Sequence, residues 1–322
     1  MMKQLFQLDP ANYQRHPIHR EVRDWAETNC YVDIWIELLH AWGFEPIAAL
    51  PFTFGIDFEG DQWSFFKFPH ADLFELYGLD VQELAIWRPL VTHIEEQVTL
   101  GRPVLVEFDS FYLPDTAGTA YQIAHVKSTV AVVEIDVAAQ HLGYFHGQGY
   151  YHLDGDDFVK VLRINETNPA MLPPYVEIVK RRFGALCQDE LTQMSLQLLR
   201  RQLARLPDVN PFDKFRARFQ TDLGWLAQES LEMFHQYSFA TLRQFGACYE
   251  QSATYLRWLH ERTRKPLDRA IETFREISKG AKTLQFHLAR MMARKRPMDL
   301  TPLEALAAKW VSSMSELKTI CL

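Results

Sequence analysis

The strongest restriction on the fold is a change of hydrophobic period near residue 170. Before it, residues 104–109, 128–136, 142–146 and 150–153 are short runs rich in β-branched and aromatic side chains, separated by turn residues, and this pattern predicts strands joined by hairpins. After it, apolar residues recur at three- and four-residue steps. That spacing predicts helices over 176–206, 211–237, 239–264, 266–296 and 301–319, with breaks at Pro207, Pro211, Pro266 and Pro297. Such a chain is expected to be an α+β domain with an antiparallel sheet followed by an all-helical domain packed as a bundle. Asn168-Pro169 and Leu172-Pro173-Pro174 mark the junction, giving domains 1–168 and 169–322.

Within the first half, residues 28–43 carry the clearest helix. Thr28 or Asn29 can cap it, Val32, Trp35, Ile36, Leu39 and Trp42 form an apolar face, and Gly43 stops it. Cys30 falls in the first turn, where unpaired N–H groups and the positive end of the helix dipole favour thiolate over thiol. The competing reading is a small buried apolar residue, the usual fate of a free cysteine. Residues 46–50 and 52–58 are expected as short strands, 63–68 as another, with Glu59-Gly60-Asp61 as a hairpin turn. Helices are expected over 70–78, closed by Gly78, and over 88–100. His16 and His19 sit in a polar arm and lack acidic or thiol companions at ligand spacing, so they are expected on the surface and no metal site is expected.

No apolar run approaches the ~20 residues of a membrane span, and residues 1–10 lack a signal-peptide pattern, which predicts a cytoplasmic location. Four scattered cysteines, Cys30, Cys187, Cys248 and Cys321, fit free thiols better than a zinc knuckle or disulfide scaffold. The net charge of −7 is unevenly spread: residues 1–165 hold 10 Lys+Arg against 24 Asp+Glu, and residues 166–322 hold 24 against 17. The second half therefore offers positive charge to an acidic partner, concentrated at Arg290, Arg294, Lys295 and Arg296, with Lys279 and Lys282 upstream; the plainer reading is a solvated helix face. Nucleic acid is not expected, given the negative total and the absence of a binding motif.

Cysteine on an early helix, histidine on a later strand and a polar residue on the next is the chain order of papain-like thiol enzymes. Cys30 is then the nucleophile and His125 the base, with the Cys30 N–H and the Asn29 side chain as oxyanion donors. The orienting group is open. Asp136 lies eleven residues beyond His125, too far along a strand; Asp109 and Asp115 are within reach; a hairpin centred near Ala139 would set His152 or Asp154 opposite His125. The loop 112–124 is long enough to be functional and is expected to cover the Cys30 cleft.

Asp109-Ser110-Phe111-Tyr112-Leu113-Pro114, the strand after His125, and Gly149-Tyr150-Tyr151 before Asp156-Asp157-Phe158 resemble the N-terminal domain of butirosin-H-like acyltransferases. Those are papain-like proteins that move an aminoacyl group from a carrier-protein thioester to an amine. Over nearly its whole length the chain resembles the bacterial domain-of-unknown-function family 1839, through Glu27-Thr28-Asn29-Cys30-Tyr31-Val32-Asp33, Phe58-Glu59-Gly60-Asp61-Gln62-Trp63 and Tyr112-Leu113-Pro114-Asp115-Thr116. Members of that family resemble genomic neighbours of amino acid:carrier protein ligases. The resemblance implies a papain-like first domain and a cysteine-dependent acyltransferase acting on an acidic carrier protein, whose phosphopantetheine arm is the one cofactor involved, with a ligase as a further partner. His146 stands where the acyltransferases tend to carry Asp or Asn, so it joins Cys30 and His125 as a catalytic candidate. The alternatives are a non-catalytic module binding a carrier protein or its ligase, and a cysteine peptidase or amidase.

Overall fold

The architecture comes from a computed structural model that describes residues 2–20, 22–25, 29–165, 172–295 and 298–322. The chain divides into two compact units, neither continuous in sequence. The first comprises Met1–Glu21, Asn29–Pro46 and His70–Ala185; the second comprises Val22–Thr28, Ile47–Pro69 and Leu186–Leu322. The expected junction at Asn168-Pro169 lies outside the described residues.

The first unit contains, in chain order, β1 (Lys3–Gln4), α1 (Pro17–Arg20), α2 (Cys30–Ala41), α3 (His70–Tyr77), β2 (Leu79–Glu83), α4 (Leu90–Thr99), β3 (Val104–Asp109), β4 (Lys127–Asp136), β5 (His141–His146), β6 (Gly149–Asp154), α5 (Gly155–Val161) and β7 (Val176–Arg181). All strand pairs are antiparallel. They form one sheet in the order β2-β7-β3-β4-β5-β6, with β1 added along β4. β7 corrects the sequence reading, which ran a helix from residue 176: Val-Glu-Ile-Val-Lys-Arg is short enough to fit either period, and pairing with β3 and β2 decides it.

Alternation along the strands sends side chains to two faces. Val104, Val106, Phe108, Val130, Val132, Tyr144, Val176 and Ile178 face a core completed by Leu90, Ile94 and Val98 of α4 and by Phe158, Val161 and Leu162 around α5. The opposite face carries Ala131, Phe145 and Glu177, and α2 packs there, across β4 and β5. α2 is buried nearly all round, from Tyr31 to Leu39, including Asp33 and Glu37. These carboxylates lie four residues apart on one side of the helix and are closed over by the N-terminal arm. His19 bonds Glu37 through Nδ1 and Asp33 through Nε2 (3.3 Å), and Tyr13 donates to Glu37 at 2.5 Å. His16 and His19 are thus buried, not on the surface: the carboxylates that hold them come from a helix whose sequence gives no sign of pointing at the arm.

The second unit holds α6 (Gln188–Ala204), α7 (Pro211–Leu226), α8 (Leu231–Ser238), α9 (Gln244–Thr263), α10 (Asp268–Arg294) and α11 (Thr301–Cys321). The single helix expected over 211–237 is two, because the Ser230 side chain caps a new start by accepting from Met233 N–H. One π-helical turn, Phe239–Arg243, precedes α9. Residues 46–50 and 52–58 are not strands: Pro46–Phe54 forms 3-10 turns, and the only pairing in that region is a bridge between Phe58 and Trp63 across the expected turn. Aromatic density misled the period here. Phe54, Trp63 and Phe68 are core residues packed in loop and 3-10 conformation. No helix of the described residues is long and apolar enough to cross a membrane.

Candidate functional site

Cys30 opens α2 as expected, and the cap is Asn29, whose Oδ1 accepts from Val32 N–H at 2.8 Å; Thr28, the other candidate, lies outside the described residues. The Asn29 oxygen is therefore engaged by the helix, and the residue is 4 % exposed. Cys30 is half-buried, with a free thiol that has no hydrogen-bond partner among the described residues. Beside it, Tyr31 donates to Glu177 at 2.9 Å and lies 2.9 Å from His70 Nε2. Burial raises the Glu177 pKa, but its bonds to His70, Tyr31 and Tyr175 outweigh burial and hold it below the usual carboxylate range.

His125 is not bonded to Cys30. It precedes β4 with its side chain 66 % exposed, bonds Asp109 through Nδ1 at 2.6 Å and stacks on Phe111 at 4.4 Å. The pair lines a cavity of ≈ 330 Å³ together with Glu107, Tyr112, Lys160 and Arg163. The expected placement of His152 or Asp154 opposite His125 fails on register. β4 pairs with β5, not β6, and the β5–β6 pairing sets Asp154 opposite His141 and His152 opposite Gly143. Asp136 caps the intervening turn, accepting from Ala138 and Ala139 N–H.

His146 and Asp115 do meet, and they meet a third residue. His146 Nδ1 is bonded to Asp115 Oδ2, and His146 Nε2 lies 2.6 Å from Ser128 Oγ. With Nδ1–H donated to the carboxylate, Nε2 is left as the acceptor for the serine hydroxyl. Tyr144 donates to the other Asp115 oxygen at 2.5 Å, so both carboxylate oxygens are engaged. Burial, then the Asp115 charge and bond, push the Tyr144 hydroxyl well above its ordinary value and keep it a donor. Asp115 and His146 are largely enclosed, with side chains 5 % and 11 % exposed.

Local structure builds this arrangement. Ser128 stands opposite Phe108 at the start of β4, and His146 follows Tyr144 by two residues on β5, so both project to the α4–α5 face. Asp115 is delivered by the loop after β3. There Asp109 caps a turn over Ser110–Tyr112, Leu113 is fully buried in the α4–α5 core, and Thr116 ties back to the Ser110 and Leu113 carbonyls. The loop expected over the Cys30 cleft is thus anchored on the face opposite α2. A sheet separates Cys30 from Ser128, His146 and Asp115.

Profiles of known families match almost the whole chain: the DUF1839 N-terminal domain over residues 14–181 and the DUF1839 C-terminal domain over residues 188–319. The chain belongs to the DUF1839 family. The DUF1839 N-terminal domain thus spans Cys30, Asp115, His125, Ser128 and His146 and ends with the sheet strand β7. No curated protein matches the chain.

Of the basic residues expected to dock a partner, Arg290 and Arg294 are exposed on α10, Lys295 donates to the Ala227 carbonyl just past the helix end, and Arg296 lies outside the described residues. Lys282 lies 4.1 Å from the Trp25 ring centroid, a cation–π contact. Phe286 stands among these cations, 67 % exposed.

Proposed function

We propose that the first unit is an acyl-transfer enzyme in which Ser128 is the nucleophile, His146 the general base and Asp115 the group that orients it. One observation carries this reading: a serine hydroxyl, the far nitrogen of an imidazole and a largely enclosed carboxylate stand in one hydrogen-bonded line, each at its working atom. The substrate class follows from the resemblance to butirosin-H-like proteins, a carrier-protein or pantetheine thioester. Ser128 Oγ attacks the thioester carbon while His146 Nε2 takes its proton. The C–S bond then breaks, the proton passes to the departing sulfur, and an acyl-serine remains. Water or an amine attacks that ester, loses its proton to His146, and the proton returns to Oγ. Phe108, opposite Ser128 in register, lines the cavity together with Glu107, Asp109, Lys160 and Arg163, and the two cations suit the phosphate of a phosphopantetheine arm.

A second reading retains the papain-like assignment with Cys30 as nucleophile. What favours it is the placement of Cys30 at the N-terminus of α2 and the partial exposure of that residue. The exposed cations of α10 with Phe286 between them fit docking of an acidic carrier protein under either reading. Turnover of an aminoacyl-pantetheine thioester by the full chain and its single variants separates the two. Ser128→Ala and His146→Ala should each lose at least about 10³-fold in rate with Cys30→Ala near wild type; loss in Cys30→Ala alone would move the chemistry to the thiol.

A further inference from the structure

The face that carries α2 holds a second cluster, spread over three neighbouring strands of the same sheet, β4, β5 and the edge strand β6. Glu134 of β4, His141 of β5 and His152 of β6 each turn a ligating atom to a common point, all within 4.8 Å of one another. Register explains the convergence. Glu134 and His152 both stand opposite Gly143, one on either side, after a bulge between Val132 and Glu134 shifts β4 into phase. Gly143 has no side chain to fill the space between them. A Cβ there would lie 2.3 Å from Tyr150 Oη and 2.8 Å from Glu134 Cβ. His141, two residues before Gly143, reaches the same point from β5, and its ring centroid lies 4.6 Å from that of His152.

We propose that Glu134, His141 and His152 bind one divalent transition-metal cation of the zinc class, a site distinct from the Ser128–His146–Asp115 line and from Cys30. His141 Nε2 lies 3.1 Å from Glu134 Oε1, and His152 Nε2 lies 3.8 Å from Glu134 Oε2. Ligands on a tetrahedral metal with bonds of about 2.0–2.1 Å are separated by about 3.4 Å, so small side-chain rotations seat the ion. Surrounding groups have the form of an outer shell. Asp154 Oδ1 accepts from His141 Nδ1 at 2.5 Å, which fixes the tautomer that presents Nε2, and Tyr150 donates to Glu134 Oε2 at 2.7 Å. Two imidazoles and a carboxylate suit zinc, cobalt or iron(II) rather than magnesium or calcium. Their charge leaves the bound ion net positive, with a coordination position for water or an anionic ligand. The carboxylate is buried, with a side chain 5 % exposed, while His152 at 34 % opens the edge strand to solvent and gives the ion a way in.

The metal-free protein can satisfy the same atoms without an ion, through the hydrogen bonds of His141 to Asp154 and Glu134, and the experiment separates the two. Chelator-treated full-length protein is titrated with cobalt(II), followed by its visible d–d absorption, and then with zinc(II) as a competitor. The proposal expects one cobalt per chain with tetrahedral or five-coordinate intensity, bleached by zinc. It expects at least tenfold weaker binding in His152→Ala and Glu134→Gln, and weakening of about 10–100-fold in Asp154→Asn. Cys187→Ser, which removes an exposed thiol of the second unit, should leave the titration unchanged. Should Glu134→Gln fold poorly because the residue is buried, His152→Ala, at a partly exposed position, decides the outcome. Absence of the cobalt spectrum in the wild type, or an unchanged titration in the His141→Ala/His152→Ala double variant, would overturn the proposal.

Discussion

At the residue scale, the chemistry assigned to the first unit rests on which nitrogen of His146 does what. Asp115 holds Nδ1 and leaves Nε2 for Ser128. Asp115→Asn keeps the shape but lets the amide favour the other tautomer, so the rate of thioester turnover should fall by roughly 10³–10⁴ with little change in the melting temperature. Two other histidines should act on stability, not turnover, and in opposite directions. Burial, with His40 and His19 nearby, depresses the His16 pKa to about 3, so its contribution to stability is complete above the ordinary value of 6.5 and is lost as pH falls toward 3. For His19, burial alone would lower the pKa, but bonds to Asp33 and Glu37 raise it overall; its contribution is complete below 6.5 and is lost as pH rises through the folded value. The urea midpoint of wild type should therefore decline on the acid side between about pH 6.5 and 4, and His16→Gln should flatten that decline. An identical slope in both proteins would remove His16 from the acid response.

At the scale of elements, α2 depends on its cap and the helices of the second unit on close approach. Asn29→Ala removes the acceptor for Val32 N–H and should cost about 1 kcal/mol, measured by thermal or urea unfolding. In α9, a Cβ at Gly246 would lie 2.4 Å from Trp25 Cζ2 and 2.8 Å from Ala281 Cβ, and Trp25 is held by its Nε1–H donated to Ser278 at 3.0 Å. Gly246→Ala gains about 1 kcal/mol of helix propensity, but overpacking against a pinned indole costs about 1–3 kcal/mol, so the net effect should be a lower unfolding midpoint. Much of this level was legible in sequence. Alternation gave β3 to β6, and capping and glycine gave α2 and α3, where Gly78 takes φ +67°. What misled the reading was short apolar runs: residues 46–58 and 176–181 match more than one period, and tertiary pairing chose between them. Ser128 gave no signal because a serine in a strand is unremarkable until register brings it to a histidine eighteen residues away. The same holds for Glu134, His141 and His152, whose convergence needs three strands, a bulge and a glycine.

At the scale of the molecule, the opposite charge of the two sequence halves sets the expected partner. Reversing charge at Arg290, Arg294 and Lys295 together should weaken an acidic carrier protein's binding and flatten its dependence on salt, because exposed charges act mainly on encounter and are screened. Unchanged affinity at low salt would assign α10's cations to solvation alone. Placement of the Ser128 line on one face of the sheet and of Cys30 on the helix across the other makes the two candidate nucleophiles independent, so one can be removed without touching the other. That independence gives the most direct test. The full chain is treated with a fluorophosphonate, which an activated serine attacks with loss of fluoride, and the modified peptide is mapped by mass spectrometry. Phosphonylation at Ser128 in wild type and in Cys30→Ala, and its loss in His146→Ala, is the predicted result; no adduct at Ser128, or an adduct that persists undiminished in His146→Ala, would contradict it.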